Sequence, residues 1–150
     1  MRSFVIDASI AVKWVVEEEG TREALALLTS AKLIAPDLLV AECANILWKK
    51  VGRGELLKDE ALVAAALLQA ADVELYPMRS LLASAAELAI ELKHPAYDCL
   101  YLAFAAERGC PLVTADGKLL RKLEEAQLSG FRHPGISLND AVKASIPSAD

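Results

Sequence analysis

The sequence predicts an α/β protein in which a central, mainly parallel sheet lies between two layers of helices. Short apolar runs alternate with segments of helical periodicity from one end of the chain to the other, which is the pattern of connected β–α units. The 150 residues suffice for one domain, which at this length buries roughly 70% of its unfolded surface. We therefore expect a single domain over residues 1–150, with its core between about residues 3 and 138.

Five apolar runs have the length and the flanking residues of strands. The first ends at Asp7, the second ends at Pro36, and the fourth is an uninterrupted apolar run typical of a buried parallel strand. The fifth is predicted to be an edge strand, and the tail from Lys143 to Asp150 is predicted to be frayed. In chain order the predicted strands are 3–6, 33–35, 73–76, 111–114 and 136–138.

Seven segments carry apolar residues at helical spacing. Thr21 and Asp37 are predicted to cap two of these helices. Pro95 opens another, because its missing N–H is one that a first turn leaves unpaired, and Gly109 ends it. Several helices are apolar on more than one face, which indicates a buried dimer surface. In chain order the predicted helices are 10–15, a segment that starts at Thr21, 38–51, 59–71, 80–93, 95–109 and 118–127.

Composition and charge narrow the class of protein. The chain is 55% hydrophobic and carries a net charge of -5, so it is neither a disordered tail nor a basic protein that coats DNA. A local basic rim for a nucleic acid is still compatible with this charge. Seven basic residues could form such a rim, or could simply lie on solvated helix surfaces. They are Lys13, Lys49, Lys50, Arg53, Lys118, Arg121 and Lys122.

The cysteines and histidines do not form a zinc-binding pattern. Cys43, Cys99 and Cys110 contain no C-x-x-C pair, and only His94 and His133 could complete such a site. Thiols within apolar segments are typical of a reducing compartment. The sequence shows no signal peptide and no apolar run long enough to span a bilayer, so we expect a cytoplasmic protein without membrane contact.

Four carboxylates stand out by their position in the predicted elements. Asp7 and Asp116 directly follow strands. Asp98 lies in the first turn of a helix, and Glu42 lies mid-helix among apolar neighbours. Taken singly, the three aspartates are explained as helix caps or as partners of a helix dipole. Glu42 could belong to a narrow exposed stripe that also contains Asn45.

Taken together, the four acids predict a metal site at one edge of the sheet. Asp7 and Asp116 emerge at the same edge because the carboxyl ends of parallel strands meet there. At ~5 Å and an effective dielectric constant of ~20, each pair of carboxylates costs about 3 kcal/mol, so the cluster needs protons or a divalent cation. Oxygen ligands alone favour Mg²⁺ or Mn²⁺, which suits phosphodiester hydrolysis. We expect Asp7, Glu42 and Asp98 to bind one ion. Asp116 would complete that site or help to recruit a second ion.

Three polar residues are candidates for a supporting role. Ser9 and Thr114 could orient acids or waters, although hydroxyls at a helix cap and at a strand end explain them equally well. Asn45 lies one turn after Glu42 and could hydrogen-bond it, or could face solvent.

From about Phe4 to Leu138 the chain resembles the PIN domain, and in particular the VapC toxins of prokaryotic toxin–antitoxin pairs. Each matching segment is weak alone, but their order and spacing over the whole length are specific. In chain order they are FVIDASI, PDLLVAECANILWK, AYDCLYLAFA and VTADGKLL.

The resemblance implies an α/β/α sandwich and a Mg²⁺- or Mn²⁺-dependent endoribonuclease that acts on RNA. It also implies a homodimer and a cognate antitoxin whose tail covers the active groove. It places the acids of the family at Asp7, Glu42, Asp98 and Asp116, and its small hydroxyl positions at Ser9 and Thr114.

Three alternatives share part of this pattern. A PIN-like module without activity would act as a binding partner or scaffold. A phosphoacceptor receiver domain would require paired acids after its first strand, where Asp7 stands alone. A phosphatase of the haloacid dehalogenase type requires D-x-D after that strand, but position 9 is Ser9. Neither G-x-x-x-x-G-K-[ST] nor G-x-G-x-x-G is present, so nucleotide binding through those loops is unsupported.

Overall fold

A computed structural model describes residues 1–128 and 135–146, and it confirms the predicted α/β architecture. The strands are β1 (Ser3–Ile6), β2 (Lys32–Pro36), β3 (Glu74–Tyr76), β4 (Leu112–Thr114) and β5 (Gly135–Ser137). The helices are α1 (Ala8–Ala11), α2 (Thr21–Ser30), α3 (Leu38–Gly52), α4 (Lys58–Gln69), α5 (Leu82–Leu92), α6 (Ala96–Arg108), α7 (Gly117–Leu128) and α8 (Leu138–Ser145). Short 3-10 turns cover Val12–Trp14 and Arg79–Leu81.

The five strands form one parallel sheet in the order β3-β2-β1-β4-β5. The chain runs outward from β1 to β3 and then returns past β1 to β4. Right-handed connections place α1 to α4 on one face of the sheet and α5 to α7 on the other, which gives a three-layer α/β/α sandwich. The reversal of direction lies between β1 and β4, where open parallel sheets place their binding crevice at the carboxyl ends of the strands. Phe4, Val5 and Ile6 of the central strand are fully buried.

The first helical segment is shorter than the sequence predicts. The predicted helix over residues 10–15 is the four-residue α1 followed by the 3-10 turn Val12–Trp14. The indole N–H of Trp14 donates to the Ala24 carbonyl at 2.9 Å, which ties this turn to α2. Thr21 is the first residue of α2 rather than its cap, because Gly20 takes the N-cap position in a left-handed conformation with φ of 87°.

The chain beyond β5 is helical where the sequence predicts fraying. Lys143 belongs to α8, whose N-cap Ser137 accepts a hydrogen bond from the Asp140 N–H at 3.2 Å. The hydroxyls of Ser145 and Ser30 are hydrogen-bonded at 2.9 Å, and this contact fastens α8 to α2. The prediction of a frayed tail is therefore wrong for residues 143–145, and residues 147–150 lie outside the described residues.

Large apolar side chains remain exposed on the outer helices. A cavity of about 310 Å³ opens between the 3-10 turn Val12–Trp14, α3, α4 and β3, and its lining residues include Leu39, Leu47 and Leu68. Within residues 1–128 and 135–146, no helix is long and apolar enough to cross a bilayer. The exposed apolar side chains on α3, α4 and α5 include Val40, Trp48, Leu62, Val63, Leu67, Leu82 and Ile90.

The loop between α5 and α6 contains a lysine in a conformation that favours glycine. Lys93 ends α5 with φ of 52° and ψ of 49°. We expect Lys93→Gly to stabilise the fold by about 0.5–1 kcal/mol, because glycine relieves the left-handed backbone but is more flexible in the unfolded chain. Thermal unfolding should then show a melting temperature raised by about 2 °C.

Gly109 provides the matched control for this substitution. It ends α6 with φ of 63°, and a Cβ atom added there meets no other atom within 4 Å. Gly109→Ala should therefore lower the melting temperature through backbone strain alone. A lower melting temperature for Lys93→Gly would contradict the strain assigned to Lys93.

Candidate active site

Asp7 occupies the carboxyl end of the central strand and caps α1. Its Oδ1 accepts hydrogen bonds from the Ser9 hydroxyl at 2.5 Å and from the Ile10 N–H at 3.3 Å. The pKa of Asp7 is raised from 3.8 to about 6, mainly by burial and to a smaller extent by the charge of Asp98. Hydrogen bonds from Ser9, Thr114 and the Ile10 N–H oppose that rise. Asp7 therefore caps α1 and also lies at the predicted site, so the two interpretations of this residue are compatible.

Two hydroxyls connect the ends of β1 and β4. The Ser9 Oγ that donates to Asp7 also accepts from the Ala115 N–H at 3.1 Å. Thr114 is buried at the end of β4, and its Oγ1 accepts from the Asp116 N–H at 3.1 Å. Both predicted supporting hydroxyls therefore lie at the crevice between the two strands.

Glu42 and Asp98 lie on opposite layers of the sandwich and influence the same region. Burial raises the pKa of the half-buried Glu42, and the charge of Asp98 raises it further. The pKa of Cys43 is raised to about 12, mainly by burial and to a smaller extent by the charges of Glu42 and Asp7. Asp98 thus lies close enough to Asp7 and to Glu42 to raise their pKa values, and Asp7 and Glu42 share Cys43 as a neighbour.

Asp116 and Asn45 stand apart from this group. Asp116 is exposed, and its Oδ1 accepts from the N–H groups of Lys118 and Leu119 at 3.0 and 3.2 Å, so it caps α7. The backbone N–H of Asp116 donates to the Thr114 hydroxyl, and this hydrogen bond connects Asp116 to the site. Asn45 is exposed, and in the described part of the chain it makes no hydrogen bond to Glu42. Over residues 1–128 and 135–146, no three His, Cys, Asp or Glu side chains are arranged to hold a metal ion. His133 lies outside the described residues.

Comparison with known families identifies the family to which this chain belongs. The sequence profile of the PIN domain matches residues 4–125. The chain belongs to the PIN domain family. Ribonuclease VapC3 of Pyrobaculum aerophilum is 36% identical over 123 residues, which cover 79% of this chain and 92% of VapC3.

Solved structures share the PIN fold at low sequence identity. PAE2754 from Pyrobaculum aerophilum matches with a TM-score of 0.67 and 20% identity, over 96% of this chain and 95% of its own. VapC20 of Mycobacterium tuberculosis, a toxin that cleaves the sarcin–ricin loop, matches with a TM-score of 0.62 and 18% identity, over 86% and 96%. VapBC2 from Rickettsia felis, bound to a DNA fragment from the promoter, matches with a TM-score of 0.58 and 16% identity, over 79% and 92%.

Three residues near the acids of this PIN domain have contacts that the sequence analysis did not predict, although Lys122 was a candidate for the basic rim. The Tyr101 hydroxyl is buried close to Glu42, and its pKa is raised first by burial and then by its interaction with the Glu42 carboxylate. His94 contacts Asp98 through Nε2 at 2.5 Å, and Lys122 contacts His94 Nδ1 at 3.2 Å. The spacing of four residues from His94 to Asp98 was visible in the sequence. The contact with Lys122 depends on how α7 packs.

Several basic residues predicted as a possible RNA-facing rim are occupied by other contacts. Glu18 pairs with Lys13 at 3.2 Å and with Lys50 at 3.0 Å, and both lysine side chains are largely buried. Lys50 also pairs with Glu55. Lys13 and Lys50 therefore belong to an ion-pair network that joins the first turn to α3, which favours the structural explanation for these two residues.

Proposed function

We propose that this PIN domain is a metal-dependent endoribonuclease that acts as the toxin of a toxin–antitoxin pair. The observation that carries the proposal is the electrostatic coupling of Asp98 to both Asp7 and Glu42. These acids come from α6, from the end of β1 and from α3, and the effect of Asp98 on the other two supports a shared site beside the carboxyl edge of the sheet. The relationship to ribonuclease VapC3 supports RNA as the substrate.

The acids suit Mg²⁺ or Mn²⁺ in chemistry. All of them offer hard oxygen ligands, and a divalent cation would offset the burial and the smaller repulsion from Asp98 that raise the pKa of Asp7 and Glu42. We assign one ion to Asp7, Glu42 and Asp98, with Asp116 completing that site or recruiting a second ion. Because the described side chains do not form a closed set of ligands, binding requires them to move closer together.

The chain itself supplies orientation and charge. When bound, the ion polarises the phosphodiester and makes a water molecule more acidic. Ser9 and Thr114 hold the Asp7 carboxylate at the crevice between β1 and β4. With a pKa of about 6, Asp7 keeps a proton at mildly acidic pH and loses it when a cation approaches. We infer that substrate cleavage is weaker below pH 6 for this reason.

Cleavage of structured RNA by the purified chain tests the activity. We expect fragments with Mn²⁺ or Mg²⁺, and no fragments after chelation. The Asp7→Ala/Asp98→Ala double variant, purified in parallel, should be inactive. Equal cleavage by the wild type and the double variant would show that a contaminating nuclease is responsible.

Metal binding can be measured separately from cleavage. We expect Mn²⁺ at 100 times its dissociation constant to stabilise the wild type by about 2.7 kcal/mol, because the ion binds only the folded chain. This corresponds to a melting temperature raised by roughly 5–10 °C. Asp98→Asn should lose most of this increase.

The second candidate is a PIN domain that binds a partner without cleaving RNA. This candidate is consistent with the finding that, among the described residues, no three His, Cys, Asp or Glu side chains are placed to hold an ion. An unchanged melting temperature with Mn²⁺, together with intact RNA, would establish this alternative. Membership in the PIN domain family sets aside the receiver-domain and dehalogenase alternatives.

The exposed apolar faces provide surfaces for the protein partners. We assign the exposed apolar side chains of α3 and α4, next to the 310 Å³ cavity, to contact with a segment of the antitoxin. We assign the exposed side chains of α5, which include Leu82 and Ile90, to a homodimer contact. Light scattering should give a dimer for the wild type and a monomer for Ile90→Glu. Leu67→Glu should prevent co-purification with the cognate antitoxin. A monomeric wild type would contradict the dimer.

A further inference from the structure

His94 connects the candidate active site to α7. Its side chain is only 10% exposed, and its Nε2 lies 2.5 Å from Oδ2 of Asp98. On the other side of the ring, Nδ1 lies 3.2 Å from the ammonium group of Lys122. We propose that His94 is a positioning residue that fixes Asp98 for metal binding, and that Lys122 fixes the tautomer of His94. This inference rests on the proposed function.

The donors and acceptors at both ends of the ring require the same tautomer. An ammonium group only donates hydrogen bonds, so Nδ1 of His94 must accept from Lys122 and carries no hydrogen. A carboxylate only accepts, so Nε2 must carry the hydrogen and donate it to Asp98. The chain of contacts thus runs in one direction, from Lys122 through the imidazole to Asp98.

The backbone on both sides holds His94 in place. Its N–H donates to the Ala89 carbonyl at 3.1 Å, and Pro95 follows it at the start of α6. Lys122 also donates to the carbonyl of Lys93 at 3.0 Å. Because the loop is fastened to α5, α6 and α7, the imidazole has little freedom to leave Asp98.

The hydrogen bond restricts a side chain that is otherwise partly free. The Asp98 side chain is 29% exposed, and in the described part of the chain the imidazole is the one group that hydrogen-bonds its carboxylate. With Oδ2 bound by His94, the carboxylate loses rotational freedom before a cation arrives, and Oδ1 remains available. Partners of this kind behind a metal ligand are worth 10–100-fold in metal affinity or activity.

The alternative is that His94 only joins the start of α6 to α7. Loss of His94 would then lower stability without changing the affinity of the folded protein for metal. Metal affinity and the separation of kcat from KM therefore distinguish a positioning role from a purely structural one.

The tautomer can be read from the metal-free chain by long-range ¹H–¹⁵N correlation spectra at pH 8. The chain has two histidines, so the spectrum of His94→Gln assigns both. We expect His94 to carry its hydrogen on Nε2. A hydrogen on Nδ1 would overturn the proposal, whatever the chain does to RNA.

Mn²⁺ titration calorimetry and RNA-cleavage kinetics then test the role. We expect His94→Ala to bind Mn²⁺ about 10–100-fold more weakly and to lose kcat, with KM for RNA unchanged. His94→Gln keeps a side-chain N–H donor and should recover most of the loss. Lys122→Met should be intermediate, while Lys143→Met, an equal change of charge on α8, should match the wild type.

The outcomes separate the two proposals. A wild type that binds no Mn²⁺ and cleaves no RNA overturns the proposed function, and with it this role of His94. A wild type that binds and cleaves, next to a His94→Ala variant with equal Mn²⁺ affinity and kcat, overturns the positioning role alone. If His94→Ala does not fold, His94→Gln and Lys122→Met decide by the same measurements.

Discussion

Replacing Asp98 with asparagine is expected to reduce RNA cleavage about 1,000-fold while the fold is retained. The substitution removes the negative charge that acts on both Asp7 and Glu42 but keeps the size of the side chain. This factor corresponds to a loss of about 4 kcal/mol of transition-state stabilisation. A loss of this order is expected when a cation loses one of its anionic ligands. Single-turnover cleavage of a defined RNA at saturating Mn²⁺ measures it.

Asp59 supplies the matched control. Like Asp98 it lies in the first turn of a helix, so both substitutions remove one favourable interaction with a helix dipole. Asp59 is exposed on α4, and Asp59→Asn should cleave RNA at the rate of the wild type. If Asp98→Asn loses no more activity than Asp59→Asn, Asp98 has no part in the chemistry and the site must lie elsewhere.

The sequence predicts the parts of the fold whose signals are local. The runs that form β1 and β4 are short, mainly apolar and followed by polar residues, so their identity and direction follow from the pattern alone. The missed helix α8 also had a local signal, since Ser137 followed by Asp140 is the spacing of an N-cap. The shortening of α1 had none, because it depends on the contact of Trp14 with α2.

For the site, too, local signals in the sequence predict some features and miss those that depend on packing. Asp7 and Thr114 could be placed because strand ends in a parallel sheet share one edge, and both lie there. The strong burial of Asp7 and the exposure of Asp116 could not be predicted, although both follow strands, because they depend on which elements cover each residue. The contact of Lys122 with His94 joins residues that are far apart in the chain, so no spacing rule reveals it.

Replacing Asp7 with asparagine is expected to stabilise the metal-free protein, and to do so more at higher pH. Burial raises the pKa of Asp7 from 3.8 to about 6, so the folded state holds a proton more tightly than the unfolded state. The resulting loss of stability is nearly absent below pH 4, grows as the pH rises to about 6, and then stays constant at about 3 kcal/mol. Asparagine carries no charge to bury and can still accept from the Ile10 N–H. Urea unfolding of both proteins at pH 4 and pH 8, with chelator present, measures the difference.

Asp37 separates burial from the other effects of this substitution. It follows β2 and holds the N-cap position of α3, as Asp7 follows β1 and caps α1, but its side chain is exposed. Asp37→Asn relieves no burial and should therefore give no stabilisation that grows with pH. If Asp7→Asn is less stable than the wild type at pH 8, the hydrogen bonds from Ser9 and Ile10 outweigh the cost of burial. The crevice would then hold the Asp7 carboxylate charged without a cation, and the electrostatic reason for a metal at this edge of the sheet would be lost.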